Sequence, residues 1–345
     1  MIQCHTFNSY ARPDVRESGT YVLSQFVGGM AAPLFLFMAG MTLAFQMESI
    51  ARRESRWGAR WLGALRRGGY VLFIAYAFRF SNCVAMLPKP DWNELTKVDI
   101  LNCMGLAMIC CSGVAVFDLK GRVRAALALA ALVAAAAPIV ANLSWGATPV
   151  IMQEYLAPGA GQGRGRFPLF PNAVYVAFGI AAGSIVRASA ADRMDRFMQW
   201  AVLVGMALVF TGQYFSNIPY SMYTKSSFWS DSPTLVAMRC GIALLLTAGS
   251  YLWSEFAARP AWSWMQTLGK NSLMVYWVHV MLVYGDVIRG VKQTMSIPMT
   301  AFATAVVMAS MVGMSAAWLW WKALRAERWR MATSPAGKGA EAAAR

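Results

Sequence analysis

Nine apolar stretches divided by short charged linkers constrain this chain more than any motif in it. They lie near residues 24–47, 68–88, 99–117, 125–144, 168–186, 197–216, 233–253, 271–288 and 296–321. A helix needs about 20 consecutive, mostly apolar residues to cross a bilayer. The stretches meet that length, and a transmembrane β-barrel's alternating segments of about 10 residues are absent. Only 14% of residues are charged, against about 25% in a soluble domain. The expected fold is therefore all-α, a polytopic transmembrane helical bundle of about nine spans. Residues 1–330 are expected to form one membrane domain. Residues 331–345, chiefly Ala with Gly, Ser, Pro and a few charges, are expected to be a disordered tail.

The formal net charge of +15 suggests nucleic acid until its distribution is considered. The basic residues punctuate the spans rather than forming a patch, so no nucleic-acid partner is expected. Of the 31 Lys and Arg, twenty fall in one alternating set of linkers: Arg52–Arg67, Lys120–Arg124, Arg187–Arg196, Arg259–Lys270 and the tail from Lys322. Nine fall in the opposite set, and Arg79 and Arg239 lie within spans. The richer side of a multi-pass protein faces the cytoplasm, which puts the C-terminus there and the surrounding lipid around the spans. His5 then lies on the outer side with only four residues before it. An additional upstream helix is the expected explanation.

Several polar groups interrupt the spans. His279, one of two histidines, sits in a run without charge from Lys270 to Asp286. An ionisable residue inside a span is a candidate functional group. Helical spacing aligns Ser272, Tyr276, His279 and Asp286, and likewise Tyr76, Arg79, Asn82 and Cys83. Asp99 and Asn102 open the third span, and Arg239 lies in the seventh. At about 1.5 Å of rise per residue, His279, Arg79 and Arg239 lie roughly 9–13 Å below the outer surface. One outward-opening polar cavity would gather them. Each member also has a plainer reading. His279 fits a hydrogen-bonded helix contact, Arg79 an ion pair with Asp99, and Arg239 a side chain reaching for the interface. Arg166 stands at the outer mouth of the fifth span, where it could contact a substrate.

The remaining features are structural. The six cysteines show no metal-ligand spacing, so no metal site is expected. Trp318, Trp320 and Trp321 read as an interfacial belt. The glycine-rich segment 159–165 lacks the lysine and strand–helix context of a phosphate loop and reads as an outer loop.

Four segments together resemble the catalytic domain of heparan-α-glucosaminide N-acetyltransferase and its bacterial relatives. The first is Cys4-His5-Thr6-Phe7 with the later run Ala32-Pro33-Leu34-Phe35-Leu36-Phe37-Met38-Ala39-Gly40-Met41. The second is Val98-Asp99-Ile100-Leu101-Asn102-Cys103-Met104-Gly105-Leu106. The third is Phe167-Pro168-Leu169-Phe170-Pro171, leading to Gly179 and Gly183. The fourth runs from Leu268-Gly269-Lys270-Asn271-Ser272 through Tyr276 to His279. The relatives' opening helix, with its Asp-x-x-Arg-Gly-like segment, is not in this sequence.

The resemblance implies a multi-pass enzyme of the bacterial inner membrane. Its reaction would move an acyl group, acetyl foremost, from acyl-CoA to an extracytoplasmic acceptor such as a glycan sugar. It implies His5 as the active-site histidine, base or nucleophile, and His279 is the second catalytic candidate, read as its partner from its place in the uncharged run. Arg79, Asp99, Asn102, Arg166, Arg239, Asn271, Ser272 and Tyr276 are the candidate substrate contacts, and a homodimer is a further expectation. The competing reading is a transporter or flippase, whose path the same buried charges would line. Against it, no span is conspicuously broken at midplane by paired Gly and Pro, as in many transporters.

Overall fold

A computed structural model describes residues 1–85, 92–157, 167–189, 191–257, 262–285 and 290–333. Its helices run in the order α1 (Ile2–Tyr10), α2 (Gly19–Gly29), α3 (Ala31–Ala51), α4 (Trp57–Ala85), α5 (Ile100–Cys111) and α6 (Leu119–Ala141). After these come α7 (Val150–Leu156), α8 (Leu169–Ala188), α9 (Ala191–Ser216), α10 (Pro233–Leu252), α11 (Trp264–Lys270), α12 (Ser272–Tyr284) and α13 (Ile297–Thr333). Among the described residues there is no β-strand beyond one isolated bridge, Ala11 to Met295.

The fold is an all-helical membrane bundle. Among the described residues, six segments are long and apolar enough to cross a bilayer: Gly19–Ala51, Leu119–Ala141, Leu169–Ala188, Arg193–Ser216, Pro233–Phe256 and Ile297–Glu327. Ile100–Val116 and Ser272–Tyr284 are shorter apolar helices. The span expected at 68–88 lies on α4, which begins at Trp57. Its early arginines, Arg60, Arg66 and Arg67, are good helix formers, so the helix starts well before its apolar part. At the other end, α13 runs to Thr333, three residues into the segment expected to be a disordered tail.

The chain divides into two compact units, one formed by Met1–Gly29 with Arg259–Arg345 and the other by Met30–Ala258. In the larger unit α3 packs along α8, α6 on α8, α4 on α5 and α9 on α10. Small residues permit the closest approaches. A Cβ on Gly179 would collide with the Phe37 carbonyl oxygen, and one on Gly40 with that of Val176. Gly179 and Gly183 form the four-residue small-residue spacing that lets membrane helices touch backbone to backbone.

Arg122 of α6 is buried and ties three helices of this unit together. Its Nη2 donates to Glu48 Oε2 on α3 at 2.6 Å, and its Nε donates to Ser184 Oγ on α8 at 3.1 Å. In the smaller unit, Ile2, Tyr10, Val275, Val283, Val307 and Met311 make a common apolar core. The segment after α12 clasps the end of α1. Arg12 N donates to Met295 O, Met295 N to Tyr10 O and Gln293 N to Ser9 O, each at 3.0 Å.

Candidate active site

The smaller unit joins the chain's two histidines. On α1, His5, Asn8 and Ser9 share a face by helical spacing. That face meets α12. Ser9 Oγ donates to the Val283 carbonyl at 2.9 Å, and Asn8 Nδ2 donates to the Tyr284 hydroxyl at 3.1 Å. Between these contacts and the start of α12, His5 Nδ1 stands 3.0 Å from His279 Nε2. The rings stack with centroids 5.2 Å apart and planes 15° from parallel. Tyr284 packs tilted against His5, and Tyr276 meets His279 edge-on. His279 is 1% exposed, so water competes little for its bonds.

Proton positions follow from the bonding pattern. His279 Nδ1 lies 2.5 Å from the Val275 carbonyl oxygen. A carbonyl only accepts, so Nδ1 carries the hydrogen and Nε2 of the neutral ring presents a lone pair. His5 Nδ1 can then donate to His279 Nε2, which leaves Nε2 as the basic nitrogen of His5. A buried imidazole thus fixes the tautomer and orientation of a second one.

Asn271 serves the same assembly. It is both the last cap of α11 and the first of α12, and its Nδ2 reaches the carbonyls of Thr267 at 3.4 Å and Ser315 on α13 at 3.3 Å. It therefore anchors the helix that carries His279. The expected polar stripe on this helix holds only in part. Tyr276 and His279 are buried, whereas Ser272 is exposed, because the chain turns at Asn271 and Ser272 begins a new helix. Asp286 lies outside the described residues.

A second polar cluster belongs to the larger unit. Arg79 Nη2 on α4 pairs with Asp99 Oδ2 at 3.0 Å. Asp99 also caps α5, its Oδ1 accepting from Ile100 N at 2.9 Å, and its own N–H donates to Asn102 Oδ1 at 3.3 Å. Asn102 Nδ2 donates to the Tyr155 hydroxyl at 3.2 Å, and Tyr155 shares a 2.8 Å hydroxyl bond with Tyr76. Burial is the main cause that raises the Tyr155 hydroxyl well above the usual phenol range, so it stays protonated. Arg239 of α10 sits near the buried Tyr175 hydroxyl. Arg166 and the glycine-rich segment 159–165 lie outside the described residues.

The histidine pair is thus one constellation, and Arg79, Asp99 and Asn102 are another. The sequence reading missed Tyr155, which lies on the seven-residue α7, too short to carry an apolar periodicity. It also missed Arg122 as an internal tie. A signal for that existed: Lys120 and Arg124 share a helix face while Arg122 must point away. Among the described residues no two cysteines are joined in a disulfide, and Cys83, Cys103, Cys111 and Cys240 are buried.

A family model described as an acyltransferase domain matches residues 1–319. The chain belongs to this membrane acyltransferase family. No curated protein matches it. The match covers both polar clusters. For an acyltransferase, a histidine held in one tautomer by a buried partner suits acceptor deprotonation.

Proposed function

We propose that this acyltransferase moves an acyl group, acetyl foremost, from acyl-CoA to a hydroxyl or amine of an extracytoplasmic glycan, with His5 as general base. The observation that carries the reading is the 3.0 Å bond from His5 Nδ1 to His279 Nε2, together with the Val275 bond that sets the tautomer. In the reaction, the acceptor's proton passes to His5 Nε2 as its oxygen or nitrogen attacks the thioester carbon. The tetrahedral adduct collapses, the carbon–sulfur bond breaks, and the imidazolium returns the proton to the thiolate. His279 Nε2 accepts from His5 Nδ1–H throughout and steadies the transient cation. It is a positioning residue.

The resemblance of the four segments to the heparan-α-glucosaminide N-acetyltransferase group supports the acetyl donor and sugar acceptor. The distribution of basic residues supports a bacterial inner-membrane orientation with a cytoplasmic C-terminus. The test is transfer of labelled acetyl from acetyl-CoA to a panel of glycans by the purified protein in nanodiscs. His5→Ala should lower the rate by about 10²–10⁴-fold, the range of general-base catalysis. Full activity in His5→Ala would remove the assignment. Movement of a glycan across the bilayer without acylation would return the chain to the transporter reading.

A further inference from the structure

The first turns of α6, the end of α8 and the start of α9 enclose a groove of about 400 Å³, lined by Lys120, Arg124 and Arg193 over Leu119, Val123 and Ile185. That volume lies within the range of small-molecule sites. Lys120 and Arg124 are four residues apart and project from one face of α6, and Arg193 approaches from α9. Converging like charges disfavour one another, so the grouping calls for a compensating anion.

The neighbouring carboxylates do not provide one. Asp118 caps α6, its Oδ1 accepting from Gly121 N at 3.0 Å. Asp195 accepts from the Tyr251 hydroxyl at 2.7 Å. Glu48 is engaged by the inward-facing Arg122. Among the described residues, no carboxylate pairs with Lys120, Arg124 or Arg193. All three cations belong to the linker set richer in Lys and Arg.

We propose that this groove binds the phosphates of the acyl donor's nucleotide. The three cations face the clustered phosphates of a 3′-phosphorylated adenosine diphosphate, and the apolar residues between them suit the base. The inference rests on acyl-CoA being the donor. A long pantetheine arm separates that carrier's phosphates from its thioester, so the phosphate site is free to be separate from the base.

The decisive probe is adenosine 3′,5′-bisphosphate, titrated by calorimetry into the full chain in zwitterionic nanodiscs. Acetyl-transfer kinetics run in parallel. The wild type should bind the nucleotide, more weakly as salt rises. Lys120→Gln, Arg124→Gln and Arg193→Gln combined should weaken binding and raise the donor KM by about 10- to 100-fold. The acceptor KM and kcat should stay within about twofold, and Lys120→Arg alone should retain binding. Arg66→Gln, an exposed cation of the same linker set, should change nothing. Thermal melting confirms that each variant folds.

Unchanged nucleotide affinity in the triple variant overturns the proposal. So does a wild type that ignores the nucleotide but is stabilised by phosphatidylglycerol through these cations, which would make the groove a lipid site. Cation-dependent nucleotide binding without acyl transfer would sink the donor reading and leave the groove standing. Transfer with an unaltered donor KM would do the reverse.

Discussion

Arg122 shows what a single charge can do inside this protein. Its guanidinium is 1% exposed and satisfied by Glu48 and Ser184. Removing one partner of a buried pair leaves the other charge stranded, at a cost of about 3 kcal/mol or more. Glu48→Gln should therefore lower the melting temperature in detergent clearly. Adding Arg122→Met to it should recover much of the loss, because the stranded charge then disappears. At the histidine pair, His279→Phe keeps the ring's bulk but removes the acceptor for His5 Nδ1–H. We expect kcat to fall about 10- to 100-fold, less than the loss of the base itself, with little change in melting temperature. An unaltered kcat would make His279 a packing residue only. His279 was legible in the sequence because an ionisable ring in an uncharged run is conspicuous. Its bond to His5 was not, since nothing in a linear string sets the distance between residues 274 positions apart. Arg79 was legible as the partner of Asp99, whereas Tyr155, which bridges Asn102 and Tyr76, left no trace in the pattern.

Among the elements, α3 and α8 make the closest contact argued above. Gly179→Val would drive a branched side chain into the Phe37 carbonyl. Overpacking of that kind costs about 1–3 kcal/mol, so the variant should unfold earlier on heating or accumulate poorly. Gly249 in α10 is the contrast, because a Cβ there meets nothing within 4 Å. Gly249→Ala should be neutral or stabilising by up to about 1 kcal/mol, since Ala exceeds Gly in helix propensity. If both substitutions behaved alike, close approach would not be what the glycine at 179 provides. Apolar runs foretold the positions of the helices, yet not their ends. Charge marks where lipid stops, whereas capping and propensity decide where a helix stops. Hence α4 begins at Trp57, and α13 extends past Trp318 and Trp321, which stack and carry Lys322 and Arg325 over their faces. The turn at Asn271 was hidden for the same reason: a continuous apolar stretch conceals a side chain that binds neighbouring carbonyls.

For the whole molecule, the alternation of basic linkers makes a prediction about sidedness. Met222, almost fully exposed between α9 and α10, falls on the basic-poor side, and Ser55, exposed between α3 and α4, on the basic-rich side. In a background lacking the native cysteines, Met222→Cys should react with an impermeant thiol reagent added to intact cells, and Ser55→Cys only after lysis. Equal labelling would refute the orientation. The unit that holds the two histidines combines the first 29 residues with the stretch from Arg259 onward. His5 therefore leaves the ribosome long before its partner, which follows only after α2 to α11 have been made. A chain interrupted anywhere between them carries the proposed base without its tautomer-setting neighbour. Synthesis itself thus withholds the proposed pair until the larger unit has been made, which would keep abandoned fragments from consuming acyl donor in the membrane.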